Sequence, residues 1–291
     1  MLRMILFMVI LFAGSWMSRA AAGPARVVSL DYCADQYVMA LVGRDRIAGV
    51  SPAAGSEYSY LAAQADGLPR VRPNSEAILL AEPDLVVRQY GGGSNAGAHL
   101  NRLGIPVAQI AFGTSLTVAA DNLRRMGTAL GAEGRATALL TQMDVRLERV
   151  RQTIAGWTDR PRALYLTPGG FTSGGGTFVD DILTRAGVRN MVAEQGRDGW
   201  LAVDLEQMVL EPPDMIVGAF FDLSSNHVTF WSLERHAFFR RILEETPTVL
   251  IPGRQVACSA WFATDAIETI HVFASGLRPS PAAQDRSAPD P

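Results

Sequence analysis

The chain has 291 residues, of which 48% are apolar and 19% charged, with a formal net charge of −3. That composition supports one large domain or two ordinary ones around a real core, and it excludes a disordered or fibrous chain. The mild acidity argues against a nucleic-acid partner, and the absence of lysine excludes Schiff-base or P-loop lysine chemistry.

Arg3, the uncharged run Met4 to Trp16 and the small residues Ala20-Ala21-Ala22 form a signal-peptide pattern over 1–22. That run is shorter than the roughly 20 residues a bilayer span requires. The mature chain is expected to begin near Gly23 as a soluble exported protein. Export permits a disulfide, and the sequence leaves Cys33 and Cys258 either free or paired. Neither lies in a CxxC, and His99, His227, His236 and His271 are scattered, so no metal site is expected.

Short apolar runs then alternate with helical periodicity. Arg26 to Leu30, Ile47 to Val50, Asp84 to Val87 and Pro106 to Ile110 read as strands. Asp35 to Val42, Glu76 to Ala81, Ala96 to Leu103 and Leu116 to Leu130 read as helices. Glu133 to Ala155 carries apolar residues at steps of three and four and predicts one long helix. The alternation resumes with strands at Ala163 to Leu166, Met215 to Val217 and Thr248 to Ile251. The matching helices are Phe178 to Ala186, Leu205 to Leu210 and Ala263 to Ser275. Strands alternating with helices imply parallel α/β sheets. From Pro279 onward four prolines fall in 13 residues, the composition of a disordered tail.

The halves repeat each other. Glu76 to Val87 aligns with Glu206 to Val217 with five of 12 positions identical, each a short helix, a Pro-Asp turn and a strand. The expected architecture is therefore two similar α/β lobes, 23–131 and 159–277, bridged by a long helix within 132–158, with a tail at 278–291. A cleft between two lobes is a common ligand site.

No catalytic set stands out. Gly91 to Gly97 is neither a P-loop nor GxGxxG, and Thr172 to Gly176 is not a nucleophile elbow. Both read as flexible loops at strand ends, the first able to cradle an anion. Asp180-Asp181 reads as a pair favoured by the helix dipole. Aromatic residues recur at strand ends in both halves: Tyr58, Tyr60, Tyr90, Phe112, Phe171, Trp200 and Trp261-Phe262. Gathered round a cleft they would suit a large ring-rich ligand.

Three segments carry a resemblance. They are Arg26-Val-Val-Ser-Leu-Asp-Tyr-Cys-Ala-Asp-Gln36 followed by Gly43 to Ser51, then Asn74 to Val87, and Phe171-Thr-Ser-Gly174 followed by Gly187 and Asn190. In this order and spacing the chain, from about Arg26 to Phe273, resembles the periplasmic substrate-binding proteins of ABC importers for cobalamin and iron–siderophore complexes. The resemblance implies a monomeric two-lobed protein that performs no chemistry, needs no resident cofactor and delivers a small molecule to an inner-membrane permease. It implies ligand-binding roles for Tyr58, Tyr90, Phe171, Trp200, Trp261 and Phe262, and permease-docking roles for Glu76 and Glu206. Arg88, Arg102 and Arg197 could instead serve an anionic iron chelate. A metal-ion-binding relative of the same fold and an exported α/β hydrolase remain the alternatives.

Overall fold

A computed structural model describes residues 23–167, 169–220 and 244–277. The signal-peptide reading of 1–22, the tail at 278–291, His227 and His236 lie outside the described residues.

The first lobe contains four parallel strands: β1 (Val27–Ser29), β2 (Ile47–Gly49), β3 (Leu85–Arg88) and β4 (Val107–Gln109), in the order β2-β1-β3-β4. Helices α1 (Tyr32–Leu41), α2 (Ser75–Leu80), α3 (Ala96–Arg102) and α4 (Leu116–Leu130) connect or follow them. Helix α5 (Glu133–Ile154) is the long helix, about 33 Å at 1.5 Å per residue.

The second lobe contains β5 (Arg162–Leu166), β6 (Phe171–Ser173), α6 (Phe178–Ala186), β7 (Arg189–Asn190), α7 (Met191–Glu194), β8 (Trp200–Ala202), α8 (Leu205–Leu210), β9 (Met215–Phe220), β10 (Thr248–Pro252) and α9 (Thr264–Leu277). Its parallel sheet has the order β10-β9-β5-β7, and β6 pairs antiparallel with β8 outside it. Counting only parallel strands, both lobes run second-first-third-fourth, and α2 and α8 each lead into the third strand. The internal repeat of the sequence is therefore a repeat of topology.

Local signals set the helix ends. Side chains of Asp31, Asn74, Ser115, Thr177 and Asp204 accept hydrogen bonds from the first-turn amides of α1, α2, α4, α6 and α8. Gly131 and Gly187, at φ 59° and 89°, end α4 and α6 in the left-handed conformation that a Cβ disfavours.

Both sheets are covered on both faces, as parallel sheets must be. Val27 and Val87 face one cluster, while Val28 and Val86 face a smaller one with Ile78 and Leu100. In the second lobe Ala163 and Tyr165 face the main core, and Leu164 packs with Met191, Val192 and Met208. The main core is continuous, running from β1 and α1 through α4 and α5 to β5, β9 and α9.

Cys33 and Cys258 form a disulfide with Sγ–Sγ 2.05 Å and Cα–Cα 5.6 Å, tying α1 of the first lobe to the loop after β10 of the second. Beside it Ser259 Oγ donates to Gly113 O at 2.6 Å, and Tyr37 Oη donates to Ser259 O at 3.3 Å. Asp181 is more than a dipole acid. Its Oδ2 accepts from the Leu116 amide at 2.7 Å, across the lobe boundary, and from Arg185 at 2.8 Å.

Asp35 is fully buried. Its carboxylate accepts hydrogen bonds from the Ser29 hydroxyl, from the Ser51 amide at 2.9 Å and from the Ser51 hydroxyl at 2.6 Å. Burial outweighs these bonds and raises the carboxyl from 3.8 to about 6. A raised folded-state value favours the folded chain while the group is protonated. That contribution is full below pH 3.8 and is lost as the pH rises through about 6. The loss between pH 4 and pH 7 should be about 2 kcal/mol. Asp35→Asn keeps an oxygen acceptor and cannot ionise. Urea unfolding at the two pH values should therefore show a smaller difference in the variant than in the wild type. Parallel pH profiles would show that Asp35 titrates normally.

Candidate functional site

The segments after three adjacent strands each contribute a tyrosine. Tyr32 follows β1, Tyr58 follows β2 and Tyr90 follows β3. The Tyr32 ring lies 5.9 Å from the Tyr58 ring and 5.9 Å from the Tyr90 ring, tilted to the first and edge-on to the second. Tyr58 and Tyr90 remain about two-fifths exposed. Phe112, after β4, is 73% exposed. The carboxyl end of the first sheet is thus a row of aromatic side chains open to solvent, where α/β sheets bind ligands.

Tyr90 is held by its backbone. Asp31 caps α1 through Oδ1, while its Oδ2 accepts the amides of Gln89, Tyr90 and Gly91 at 2.7, 3.0 and 2.9 Å. Arg88 grips the other side, donating to Gly91 O at 2.8 Å and Gly93 O at 2.7 Å. The Gly91 to Gly97 segment is therefore clamped at its start rather than flexible. The anion in its amide cradle is the protein's own carboxylate. Arg88 is 6% exposed and committed to this loop, so it is not a ligand arginine. Burial, then the neighbouring Tyr32 and Asp31, push the Tyr90 phenol upward. Burial also raises Tyr32, against the hydrogen bond that it shares with Tyr90. Both phenols thus stay neutral across ordinary pH.

In the second lobe Phe171 and Trp200 are 52% and 57% exposed. Both stand on strands rather than loops. Ser173 pairs with Trp200 and Phe171 with Ala202 in the β6–β8 pair. The Trp200 ring meets Tyr165 of β5 edge-on at 5.9 Å. The glycines beyond β6 are also tight, not flexible. Gly174 N donates to Gly199 O at 2.8 Å, and a Cβ at Gly174 would lie 2.1 Å from Arg197 O. Only glycine admits that approach of two backbones.

Trp261 and Phe262 lie elsewhere, which corrects their sequence-based placement among the open aromatics. They are 8% and 2% exposed. Trp261 packs edge-on to Tyr37 at 5.1 Å, and Phe262 stacks on Tyr60 at 4.3 Å. Cys258, bonded to Cys33 of α1, begins this loop and holds it against the first lobe. The crevice they line, about 340 Å³, also takes Met39, Leu139 and Arg146 and does not include Tyr90 or Trp200. A cavity of about 650 Å³ between α5 and α6 is lined by Asp144, Glu148, Arg151 and Arg185 and receives nothing from the strand ends.

Arg102 is exposed in the last turn of α3, and Arg197 lies 3.9 Å from Asp204. Among the described residues no three His, Cys, Asp or Glu side chains converge as metal ligands, and no helix is long and apolar enough to cross a membrane. The site roles of Tyr32 and Asp31, and the clamping role of Arg88, escaped the sequence reading. The sequence reading starts this helix at Asp35, and the amides that Asp31 Oδ2 accepts lie 58 to 60 residues away.

Glu76 and Glu206 are exposed in the first turns of α2 and α8, at the same place in each lobe.

Two repeated α/β lobes with aromatic side chains at their strand ends define a two-lobed binding protein. Residues 27–224 match the family described as periplasmic binding protein, and the chain belongs to that family. It is 28% identical over 200 residues to a cobalamin-binding protein of Halobacterium salinarum, which covers 67% of this chain and 53% of that protein. It is 28% identical over 180 residues to a vitamin B12-binding protein of Salmonella paratyphi A, covering 59% and 66%. The chain thus spans about half the length of the Halobacterium relative. Among solved structures, a periplasmic binding protein from Veillonella parvula superposes with a TM-score of 0.72 at 15% identity, covering 89% of this chain and 94% of that one. The periplasmic vitamin B12-binding protein of Vibrio cholerae gives 0.65 at 20% identity, covering 88% and 99%. These two structural likenesses establish the fold.

Proposed function

We propose that the chain is the periplasmic solute-binding component of an ABC importer, holding a corrinoid between its lobes and presenting it to an inner-membrane permease. The observation that carries this reading is the character of the strand ends. Tyr32, Tyr58, Tyr90, Phe112, Phe171 and Trp200 offer aromatic faces. Arg88, which leads into the Tyr90 loop, spends its donors on Gly91 O, Gly93 O and Gln109 Oε1. An aromatic surface with neutral phenols suits a bulky, ring-rich ligand without strong negative charge. An anionic ferric chelate or haem would call for arginines with free donors. Two relatives bearing cobalamin- or vitamin B12-binding names support the same choice.

In this reading Tyr58, Tyr90, Phe171 and Trp200 bind the ligand, with Tyr32 behind the first two. Trp261 and Phe262 brace the lobes. Glu76 and Glu206 meet basic groups on the permease. The protein works as a monomer, exported by a cleaved signal over 1–22.

The test is a tryptophan-fluorescence titration of the chain from Gly23 onward. Cobalamin, a ferric hydroxamate, a ferric catecholate and haem are added in parallel, with correction for inner-filter absorbance. Saturable one-to-one quenching by cobalamin alone is expected. Saturation by an iron chelate or haem instead would overturn the corrinoid assignment and leave the binding role. No saturation by any of the four would overturn both.

A further inference from the structure

The segment after β2 carries Tyr58 without a helix or strand of its own. From Ser51 to Leu61 it is a chain of turns, closed by bonds such as Ala54 N to Ser51 O at 3.1 Å and Ser59 N to Ser56 O at 3.0 Å. Backbone of that kind must find its remaining partners outside itself. Two neighbouring side chains of α1 supply them. Asp35 holds the start of the segment through the Ser51 amide and hydroxyl. Gln36 holds its end. Its Oε1 accepts the Leu61 amide at 2.8 Å, and its Nε2 donates to Ser59 Oγ at 2.8 Å. The same Nε2 donates to Tyr32 O at 2.7 Å. One side-chain amide thus ties the backbone of Tyr32 to the segment that carries Tyr58.

Gln36 and Ser59 are both fully buried. Glutamine is seldom enclosed completely, because its amide loses water on burial. An apolar side chain would fill the same space without that cost. What glutamine adds is a grip on three groups at once. Ser59 also sits between two tyrosines with different surroundings. The Tyr58 ring lies 5.9 Å from Tyr32 in the open row, while Tyr60 stacks on Phe262 and donates to Asp265 Oδ2 at 2.5 Å. The grip therefore lies where the segment divides between the open row and the contact with the second lobe.

We propose that Gln36 is a positioning residue for ligand binding, fixing Ser59 and Leu61 on α1 so that the Tyr58 ring stands beside that of Tyr32. Enclosed as it is, Gln36 does not touch the ligand. The proposal rests on the importer reading, in which Tyr58 meets the ligand, and adds how the first lobe is kept ready for it. Asp31 does the same for Tyr90, so the start of one helix sets all three tyrosines. A ring already in place does not have to be ordered by the ligand, and the affinity that ordering would cost is retained.

The test uses Gln36→Met, which keeps the side-chain length and removes all three bonds, in protein purified after expression of the full chain. Without ligand, amide hydrogen exchange should quicken about tenfold over 51–61 and stay unchanged over 89–91, which Asp31 holds. Calorimetric titration with cobalamin then forms a double-mutant cycle. Gln36→Met should bind about tenfold more weakly than wild type, but less than about twofold more weakly where Tyr58→Ala is already present, since the ring it aims is gone. Ser59→Ala removes one bond and should show the same dependence on Tyr58 at smaller size, which covers the case in which Gln36→Met fails to fold. Leu183→Ala, in the core of the second lobe, should lower stability and leave affinity unchanged.

Unchanged exchange over 51–61 would overturn the proposal whatever the ligand. An equal loss of affinity with and without the Tyr58 ring would do the same, by showing that Gln36 acts on the lobe as a whole. Cobalamin binding that neither Gln36→Met nor Ser59→Ala alters would remove the positioning role and leave the importer reading standing. No saturable binding by the wild type would remove the corrinoid assignment and the aiming role together.

Discussion

Removing the Cys33–Cys258 bridge is expected to lower the unfolding free energy by as much as about 5 kcal/mol. The bridged residues are 225 apart. Chain-entropy arguments assign the largest effect to loops of that length, because the bond mainly restricts the unfolded chain. For a chain of this size the melting point should fall by roughly 10 °C. Cys33→Ala with Cys258→Ala is the right comparison, since both positions are buried and a serine pair would add two hydroxyls to the core. Thermal and urea unfolding of the variant against the oxidised wild type measure the effect. A loss below about 1 kcal/mol would mean that the Ser259 and Tyr37 contacts already fix this loop, or that the unfolded chain is compact without the bridge.

Trp200→Ala should weaken ligand binding about thirtyfold, or about 2 kcal/mol, with little change in the unfolding midpoint. Trp200 is 57% exposed and packs in the free protein mainly on Tyr165. Its unburied face is therefore available to a ligand and costs little stability when removed. Tyr90→Ala should behave similarly in the first lobe. Trp261→Ala should do the opposite. Its side chain is buried against Tyr37, so truncation should cost about 3 kcal/mol or more of stability. Calorimetric titration with cobalamin, paired with urea unfolding, separates the two outcomes. Loss of stability at Trp200 with unchanged affinity would move the site away from the β6–β8 pair.

The contrast between Trp200 and Trp261 marks how far sequence reasoning reaches. Helices α4, α6 and α8 have the bounds their sequences predict, because a capping side chain and a stop signal are local. Seven of the eight parallel strands were legible for a related reason, the exception being the two-residue β7, Arg189–Asn190, which carries no apolar run. Val27-Val28 or Leu85-Val86-Val87, buried on both faces, reads as a continuous apolar run. The β6–β8 pair was not legible. Phe171-Thr-Ser173 and Trp200-Leu-Ala202 are three-residue strands beside glycines, and their pairing joins segments about 30 residues apart. The burial of Trp261 and Phe262 was not legible for a longer-range reason: they follow Cys258, whose covalent partner is 225 residues away. Tyr58, Tyr90, Phe171 and Trp200 do stand open on the surface, while Tyr32, which brings two of them together, was hidden inside a helix start.

The bridge also bears on biogenesis. If the chain is exported from its N-terminus, Cys33 emerges long before Cys258 and waits as a lone thiol until nearly all of the polypeptide has crossed. With two cysteines in the whole sequence, no wrong pairing within one molecule is possible. Among copies of this chain, the mispaired product is a covalent link between two of them. Its yield should therefore rise with the rate of export, when many half-emerged chains stand side by side.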